Sequence, residues 1–438
     1  MGKVFSAQKH PQERNLPLHH SRIAHTLREQ FHDFTQTLAS RLSKPMRRFL
    51  QEMVYGISAS GDVKLSNIGR ALQEEIPLKK TEERLSRNLQ QKGLGQILNE
   101  EIAHAGTRRI HADTILIIDP SDIHKPYAEK MPYLAKVRDG STGEIVNGYW
   151  TCFVVGCESR SRRVTPLHLS LWSAEAPDFE SENHEILNAV DTVRAAVGGR
   201  GIWVMDRGGD RGKLIKPFLE REMRFIVRLV GNRNLLARGR EVLAGRLAEG
   251  CQLPYAETIL KEDHGREKSY PLEFGFRPVQ LPGREEQLFL VVVTGLGKEP
   301  LLLLTNLPMR KNREVLWQVV AGYLSRWLVE ETIRFIKQSY NLEDLRVLDY
   351  DRLKNMVTLV LAAAFFAAVR LGEELKLAVL SHHVTRLAKR FFGVPDFHYY
   401  ALADGIATLL AWCAKGPLSS RTPRPPSDPQ QFLFSLGP

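Results

Sequence analysis

Two acids in this sequence each follow a short apolar run. Asp119 comes after Thr114–Ile118, and Asp206 comes after Gly201–Met205. Such runs read as buried strands. A carboxylate just past the end of a central strand lies at the sheet edge where α/β proteins gather reactive groups. Two neighbouring strand ends would bring both carboxylates into one pocket. Paired carboxylates are the ligands that hard divalent cations such as Mg²⁺ prefer. A lone strand-end Asp more often serves the turn that follows it, so the weight rests on there being two. Asp122 and Asp210 are the alternatives. Asp122 falls in the turn after the first strand, and Asp210 is placed to cap a helix that starts at Arg211.

A third acid belongs to a pattern. Asn312–Ser339 reads as one long helix. At about 100° per residue, Tyr323, Arg326, Glu330 and Lys337 fall within a wedge of roughly 60°. Leu324, Leu328, Val329, Phe335 and Ile336 cover the broad opposite side. One face packs into a core, and the other presents a phenol, a guanidinium, a carboxylate and an ammonium in a row. Glu331 stands about 100° from Glu330, which leaves Glu330 the better ligand. A solvated row of Arg–Glu pairs is the plain alternative, and it suits a helix inside a dense mixed fold poorly.

The elements that must position these groups follow in order. Residues 1–108 read as helical and polar, with helix-like spacing over Ile23–Leu42 and Leu65–Gln90. From His111 the character changes to strands: Thr114–Ile118, Tyr149–Cys157 and Val164–Trp172, with Glu158–Arg162 as a hairpin connection. A helix at 184–197, a strand at Gly201–Met205, a helix at Arg211–Glu222 and a strand at Phe225–Val230 complete an α/β pattern around a mixed sheet. Residues 231–299 are rich in glycine and charge with short β-like pieces such as Phe289–Thr294. Leu301–Thr305 is strand-like, Asp351–Leu371 and residues 373–415 are helical, and the tail from Pro417 is rich in Pro and Ser.

Composition narrows the class. The chain has 438 residues, enough for two or three domains, and 43% hydrophobic with 25% charged residues is ordinary for a globular protein. Lys plus Arg is 61 against 50 acids, a net charge of +11, which favours polyanionic partners, nucleic acid first. Residues 207–240 alone hold ten Lys/Arg and three acids; such a strip could track a DNA backbone. Four cysteines are too few for a disulfide scaffold at this length, and none forms a C-x-x-C pair. The segment Met1–Leu16 lacks an apolar signal core. The longest apolar stretch, Met356–Val369, is shorter than the ~18–20 residues of a membrane span. The expectation is a soluble cytoplasmic protein. Gly208–Lys213 fails the phosphate-loop spacing, since Leu214 follows the lysine. The His19-His20 and His382-His383 pairs lack accompanying ligands for a metal.

The spacing Tyr323-x₂-Arg326-x₃-Glu330-x₆-Lys337 resembles the Y-x₂-R-x₃-E-x₆-K signature of insertion-sequence-4 family transposases, within the larger DDE class. Asp119 resembles that family's first catalytic aspartate, and Asp206, followed by Arg207, resembles the second. The resemblance covers roughly residues 109–371. It implies an α/β, ribonuclease-H-like mixed sheet flanked by helices, with a β-rich insertion and a helical N-terminal domain. The implied division is a helical DNA-binding domain at 1–108, a catalytic core at 109–230 and 300–372, the insertion at 231–299, and a helical C-terminal region with a flexible tail at 373–438.

The resemblance also implies a chemistry. Asp119, Asp206 and Glu330 would hold two Mg²⁺ ions, with Mn²⁺ able to substitute, for in-line displacement at phosphorus. Cleavage at transposon ends by water would precede strand transfer by a DNA 3′-hydroxyl, which is cut-and-paste transposition. Arg326 and Lys337 would hold phosphates, Arg326 in a bidentate way and Lys337 as a point charge, with Tyr323 and Arg207 as further DNA contacts. The implied partners are double-stranded DNA, both terminal inverted repeats and target, and a second copy of the chain in a synaptic homodimer. The implied setting is the bacterial cytoplasm, associated with the nucleoid. The alternatives are a related endonuclease that no longer transfers strands and a catalytically inactive regulator that binds the same ends.

Overall fold

The computed structural model describes residues 16–125, 128–140, 142–158, 163–263, 266–387, 399–412 and 416–418. In chain order the helices and strands open with α1 (Leu16–Leu38), α2 (Lys44–Ser60), α3 (Leu65–Leu72), α4 (Leu78–Leu89) and α5 (Leu94–Gly106). Then come β1 (Ile115–His124), β2 (Ala135–Arg138), β3 (Ile145–Cys157), β4 (Val164–Trp172), α6 (Glu182–Val197), β5 (Ile202–Met205), α7 (Gly212–Glu220) and β6 (Phe225–Arg228). Residues 231–299 supply β7 (Asn234–Ala237), β8 (Arg240–Leu243), α8 (Ala244–Glu249), β9 (Tyr255–Asp263), β10 (Arg266–Val279) and β11 (Leu288–Thr294). The chain continues through β12 (Leu301–Thr305), α9 (Arg313–Leu324), α10 (Trp327–Ser339), α11 (Tyr350–Phe365), α12 (Glu373–Leu387) and α13 (Tyr399–Trp412).

The chain divides into two compact units, Met1–Leu89 with Arg370–Pro438, and Gln90–Val369. In the first, the described elements are helices. Leu27, Phe31, Phe34, Phe49 and Met53 are buried, the core-facing stripes that helical spacing leads one to expect. Arg84 bridges Glu52 and Glu74, and Arg48 reaches the same two acids. The helical run expected over Leu65–Gln90 is interrupted. Gln73 adopts a left-handed backbone (φ 51°) that closes α3, and Pro77 disfavours helix in the residue before it.

In the second unit ten strands form one mixed sheet, in the order β2-β3-β1-β5-β6-β12-β11-β10-β9, with β4 on the other part of β3. The strands β1, β3 and β4 form an antiparallel meander. Two crossovers, through α6 and α7, then lay β5 and β6 parallel to β1. That order, β4-β3-β1-β5-β6, is ribonuclease-H-like. Its inner face is apolar: Leu116, Ile118, Trp203 and Met205 pack with Ile186, Val190 and Val193 of α6 and Leu214 and Phe218 of α7.

Several elements differ from the sequence reading. β1 does not end at Ile118; it continues through Asp119 and Pro120 to His124, paired with β3 all the way. Its parallel ladder with β5 stops at Ile117. Pro120, with no N–H to give, therefore sits where β1 has a neighbour on one side only. The short strand β2 was not expected. The stretch 231–299 contributes β9, β10 and β11 to the same sheet, joined through β12 antiparallel to β6, with β7–β8 as a separate hairpin. α5, expected with the N-terminal helices, belongs to the second unit, and residues 373 onward fall in the first.

The helix expected at Asp351–Leu371 is present as α11 followed by a π-helical turn over Phe366–Arg370. Together they run 21 residues, long and apolar enough to cross a membrane, yet 83% of the apolar window is buried within the fold. It is a core helix. Cys152, Cys157 and Cys251 are free thiols. The Glu158–Arg162 connection lies largely outside the described residues, as does the tail after Leu418; so do the side chains of the two histidine pairs.

Candidate active site

Ile117 on β1 is level with Val204 on β5. Two residues on from each, and therefore on the same face by the strand's period of two, stand Asp119 and Asp206. Register alone brings these carboxylates together at the carboxyl edge of the parallel strands. Past Met205 the chain turns at once: Asp206 caps a 3₁₀ turn over Arg207–Gly209 by accepting a 2.8 Å hydrogen bond from Gly208 N. The turn leaves Arg207 exposed beside the acids.

The third acid arrives from α9 and α10 on the same side of the sheet. α9 lies close because Gly322 has no side chain; a Cβ there would stand 2.9 Å from Ile115 Cδ1 and 3.4 Å from Ile226 Cδ1. Ile115 shares its face of β1 with Ile117 and Asp119.

The single long helix expected over Asn312–Ser339 is broken at Ser325–Arg326. The bonds there tighten to i→i−3: Arg326 N donates to Tyr323 O, Leu328 N to Ser325 O and Val329 N to Arg326 O, each at 3.0 Å. Ser325 Oγ also donates to Ala321 O at 2.9 Å. Such a tightened stretch turns more per residue than an α-helix, so a wheel drawn at constant pitch does not carry across it. Tyr323 ends up buried, at 6% exposure, while the Glu330 side chain is 52% exposed.

Arg326 stands between the acids. Its Nη2 donates to Glu330 Oε1, and its Nη1 lies 3.9 Å from Asp119 Oδ1. Burial pushes the Asp119 carboxyl up from its ordinary value to about 7; the negative charges of Asp206 and Glu330 add to this, and Arg326 and Lys337 oppose it. Burial works against the Arg326 charge, but Asp119 and Glu330 outweigh it and raise that pKa further. The centre is thus short of positive charge. A hard divalent cation fits this donor set: carboxylate oxygens only, crowded enough that one of them resists ionising without a counter-charge. A pocket of about 190 Å³ opens beside Asp119 and Asp206, with Trp150, Glu182 and Arg211 among its walls. Glu182 and Arg211 pair at 3.0 Å.

Lys337 points elsewhere. Its Nζ donates to the backbone carbonyl of Asp122 and lies 3.9 Å from the Asp122 carboxylate and 3.8 Å from Glu343. Lys125, at the end of β1, donates to the carbonyls of Glu343 and Leu345; burial lowers its pKa to about 8. The two lysines tie the far end of β1 to α10 and the turn after it.

Among the described residues, Asp122, His124 and Asp139 form a group of three whose ligand atoms all lie within 4.8 Å of one another. Asp122 was weighed on sequence; His124 and Asp139 were missed. Once β1 is known to continue, Asp122-x-His124 is a same-face pair, but Asp139 comes from the unforeseen turn after β2. Asp210 does not cap α7, whose N-cap is Arg211. It pairs with Arg233 and accepts from Val230 N at 2.9 Å, bracing the turn that follows Asp206.

Residues 111–366 match the family described as "Transposase DDE domain". The chain belongs to that family. Asp119, Asp206 and Glu330 all fall within the matched segment. In structure the transposase chain is similar to one in a cryo-EM structure of the piggyBac transposase synaptic complex with hairpin DNA. The identity is 10%, covering 96% of this chain and 84% of that one, with a TM-score of 0.41. No curated protein matches it in sequence.

Proposed function

We propose that this transposase-family chain is a metal-dependent cut-and-paste DNA transposase of the insertion-sequence-4 type. It would cleave DNA at the ends of its element and join those ends to a target. The observation that carries the reading is that Asp119 on β1 and Asp206 just past the end of the parallel strand β5 line one pocket, with Arg326 within 3.9 Å of Asp119 and bonded to Glu330.

Asp119, Asp206 and Glu330 are the residues that would hold Mg²⁺ or Mn²⁺. Two such ions, when bound, supply activation of the attacking oxygen and stabilisation of the leaving one. The chain's own residues then have distinct tasks. Asp119 gives up its proton as the site acquires counter-charge. Arg326 releases Glu330 and turns its planar fork to a phosphate of the bound strand. Arg207, already exposed, meets the backbone on the other side. Lys337, engaged with Asp122 and Glu343, keeps the far end of β1 in place. Tyr323, buried beside Arg326, braces the guanidinium. The partners in this reading are double-stranded DNA and a second copy of the chain, in an intracellular setting.

The test is cleavage of a plasmid carrying this gene with its native flanking DNA, in Mg²⁺, Mn²⁺ or EDTA. Wild type is compared with Asp119→Ala, Asp206→Ala and Glu330→Ala. Metal-dependent breaks at the element ends and joined products, absent in all three variants, support the proposal. Breaks without joining indicate an endonuclease. End binding with no cleavage in any metal indicates a regulator. An alanine variant that still cuts removes that acid from the site.

A further inference from the structure

Asp122 and His124 stand two apart on β1, past Asp119, and therefore share a face of the strand. A third ligand type comes from another part of the chain. The turn after β2 is closed by Asp139 N, which donates to Glu144 O at 2.9 Å, and by Gly143 N, which donates to Asp139 O at 2.8 Å. This turn folds back onto β1, where Gly140 N reaches Asp122 Oδ1 at 3.4 Å. One imidazole and two carboxylates thus meet, with their ligand atoms within 4.8 Å of one another.

Charge does not balance there. Asp122 and Asp139 are 6% and 8% exposed, and the Glu343 carboxylate comes within 3.3 Å of His124 Nδ1. Against these three acids stands Lys337. Its Nζ donates to the Asp122 carbonyl, and it lies 3.9 Å from the Asp122 carboxylate and 3.8 Å from Glu343, beyond hydrogen-bond length for both. Lys125 is committed to the carbonyls of Glu343 and Leu345, and Arg346 lies 4.0 Å from Asp344. Carboxylates largely out of water, with one ammonium among three, favour a further positive charge between them.

The donor types say which cation. The Asp119–Asp206–Glu330 set offers oxygen alone, which suits Mg²⁺ or Mn²⁺. An imidazole beside two carboxylates suits Zn²⁺ better, and Co²⁺ in its place. Tetrahedral zinc holds its ligand atoms about 3.3 Å apart, so the three groups need only draw together by about 1–1.5 Å. Glu343, beside Nδ1, orients the ring as carboxylates orient metal-binding imidazoles. Two carboxylates offset the charge of the dication, and a water completes the four ligands.

We propose that Asp122, His124 and Asp139 form a zinc site, separate from the catalytic acids in residues and in metal. The ion clips the turn after β2 onto the far end of β1, the strand that carries Asp119. The proposal does not rest on the transposition reading.

The experiment uses the full chain with Asp119→Asn and Asp206→Asn, so that the other acids cannot hold the metal. The chain is stripped with EDTA, freed of chelator, and titrated with Co²⁺ as a visible probe and with Zn²⁺. The expected result is a saturable cobalt band that Zn²⁺ displaces and millimolar Mg²⁺ does not, with a rise in Tm on adding Zn²⁺. His124→Ala removes both, and Asp139→Asn weakens binding by at least about tenfold. His124→Cys restores binding and adds a thiolate-to-cobalt charge-transfer band, which a ring serving only as an ion-pair partner would not produce. Absence of the band and of the Tm rise means that His124 meets the acids as a simple cation, and it overturns the proposal. So does a band that survives His124→Ala, which places the cobalt on other histidines. Because the catalytic acids are disabled throughout, either failure leaves the cleavage assay to decide the transposase reading on its own.

Discussion

Asp119 and Asp206 stand level with each other, each two residues past the last parallel rung, Ile117 opposite Val204. The paired strands bring the two carboxylates to one edge of the sheet, and the 3₁₀ turn that Asp206 caps holds the second of them there. The protein meets the resulting repulsion in two ways: Arg326 beside Asp119, and a proton on Asp119 itself.

The proton gives a pH signature. Asp119 holds its proton to about 7 when folded, against 3.8 for the ordinary carboxyl. Between those values the folded state binds the extra proton, so stability falls as pH rises through that window and the full penalty stands above it. In EDTA at about pH 8, Asp119→Asn should be more stable than wild type by on the order of 2 kcal/mol. The gap should close as pH drops toward 4, and also at pH 8 on adding Mg²⁺. Urea unfolding at each pH measures it; a gap that does not depend on pH would show that the carboxyl is not strained.

Arg326 is the other half of that balance. Arg326→Gln should leave Asp119 and Glu330 facing each other without an intervening cation. Metal-free stability at pH 8 should fall by about 1–3 kcal/mol, and most of the loss should return in millimolar Mn²⁺. Thermal unfolding with and without metal reads both effects.

Where the metal binds can be separated from the nearby Asp122–His124–Asp139 group. Calorimetric Mn²⁺ titration of Asp206→Asn should show affinity reduced by at least about tenfold. His124→Ala and Asp139→Asn should stay close to wild type. The reverse pattern would move the metal to the second group.

Gly322 sets how closely α9 approaches the sheet. Gly322→Ala asks only the tips of Ile115 and Ile226 to give way, and the gain in helix propensity offsets that cost. Gly322→Leu has no such room. It should destabilise by about 1–3 kcal/mol and, by lifting Arg326 and Glu330 off the strands, remove any metal-dependent activity. Paired stability and cleavage measurements test the contrast.

Much of the second unit was legible because its strands are short and uniformly apolar. Val164–Trp172 and Leu301–Thr305 end where the composition changes, and β4 and β12 have those same bounds. The pairing of Asp119 with Asp206 was readable from two apolar runs that each end in an acid. The rest depended on contacts a sequence does not print. The apolar run stops at Ile118, but β3 carries β1 five residues past Asp119. The break at Ser325 has no proline to mark it; a serine hydroxyl bonds back to Ala321 and the backbone bonds tighten there. That break changes how Tyr323 and Glu330 relate to the acids. Residues 231–299 looked separate because glycine and charge dilute their pattern, yet β11 pairs with β12 and so joins the main sheet.

Asn99 bears on how the chain behaves outside its own fold. β4 borders the sheet beside β3, and a bare strand edge is a template on which another chain can add. The Asn99 carboxamide occupies both the N–H and the carbonyl of Leu169, presenting to the strand the donor and acceptor that a neighbouring backbone would bring. One side chain thereby stands in for a missing strand and closes the edge at its middle to intermolecular pairing. With α5 and α11 packed over β4, that amide leaves the middle of this edge with no free backbone pair to offer another chain.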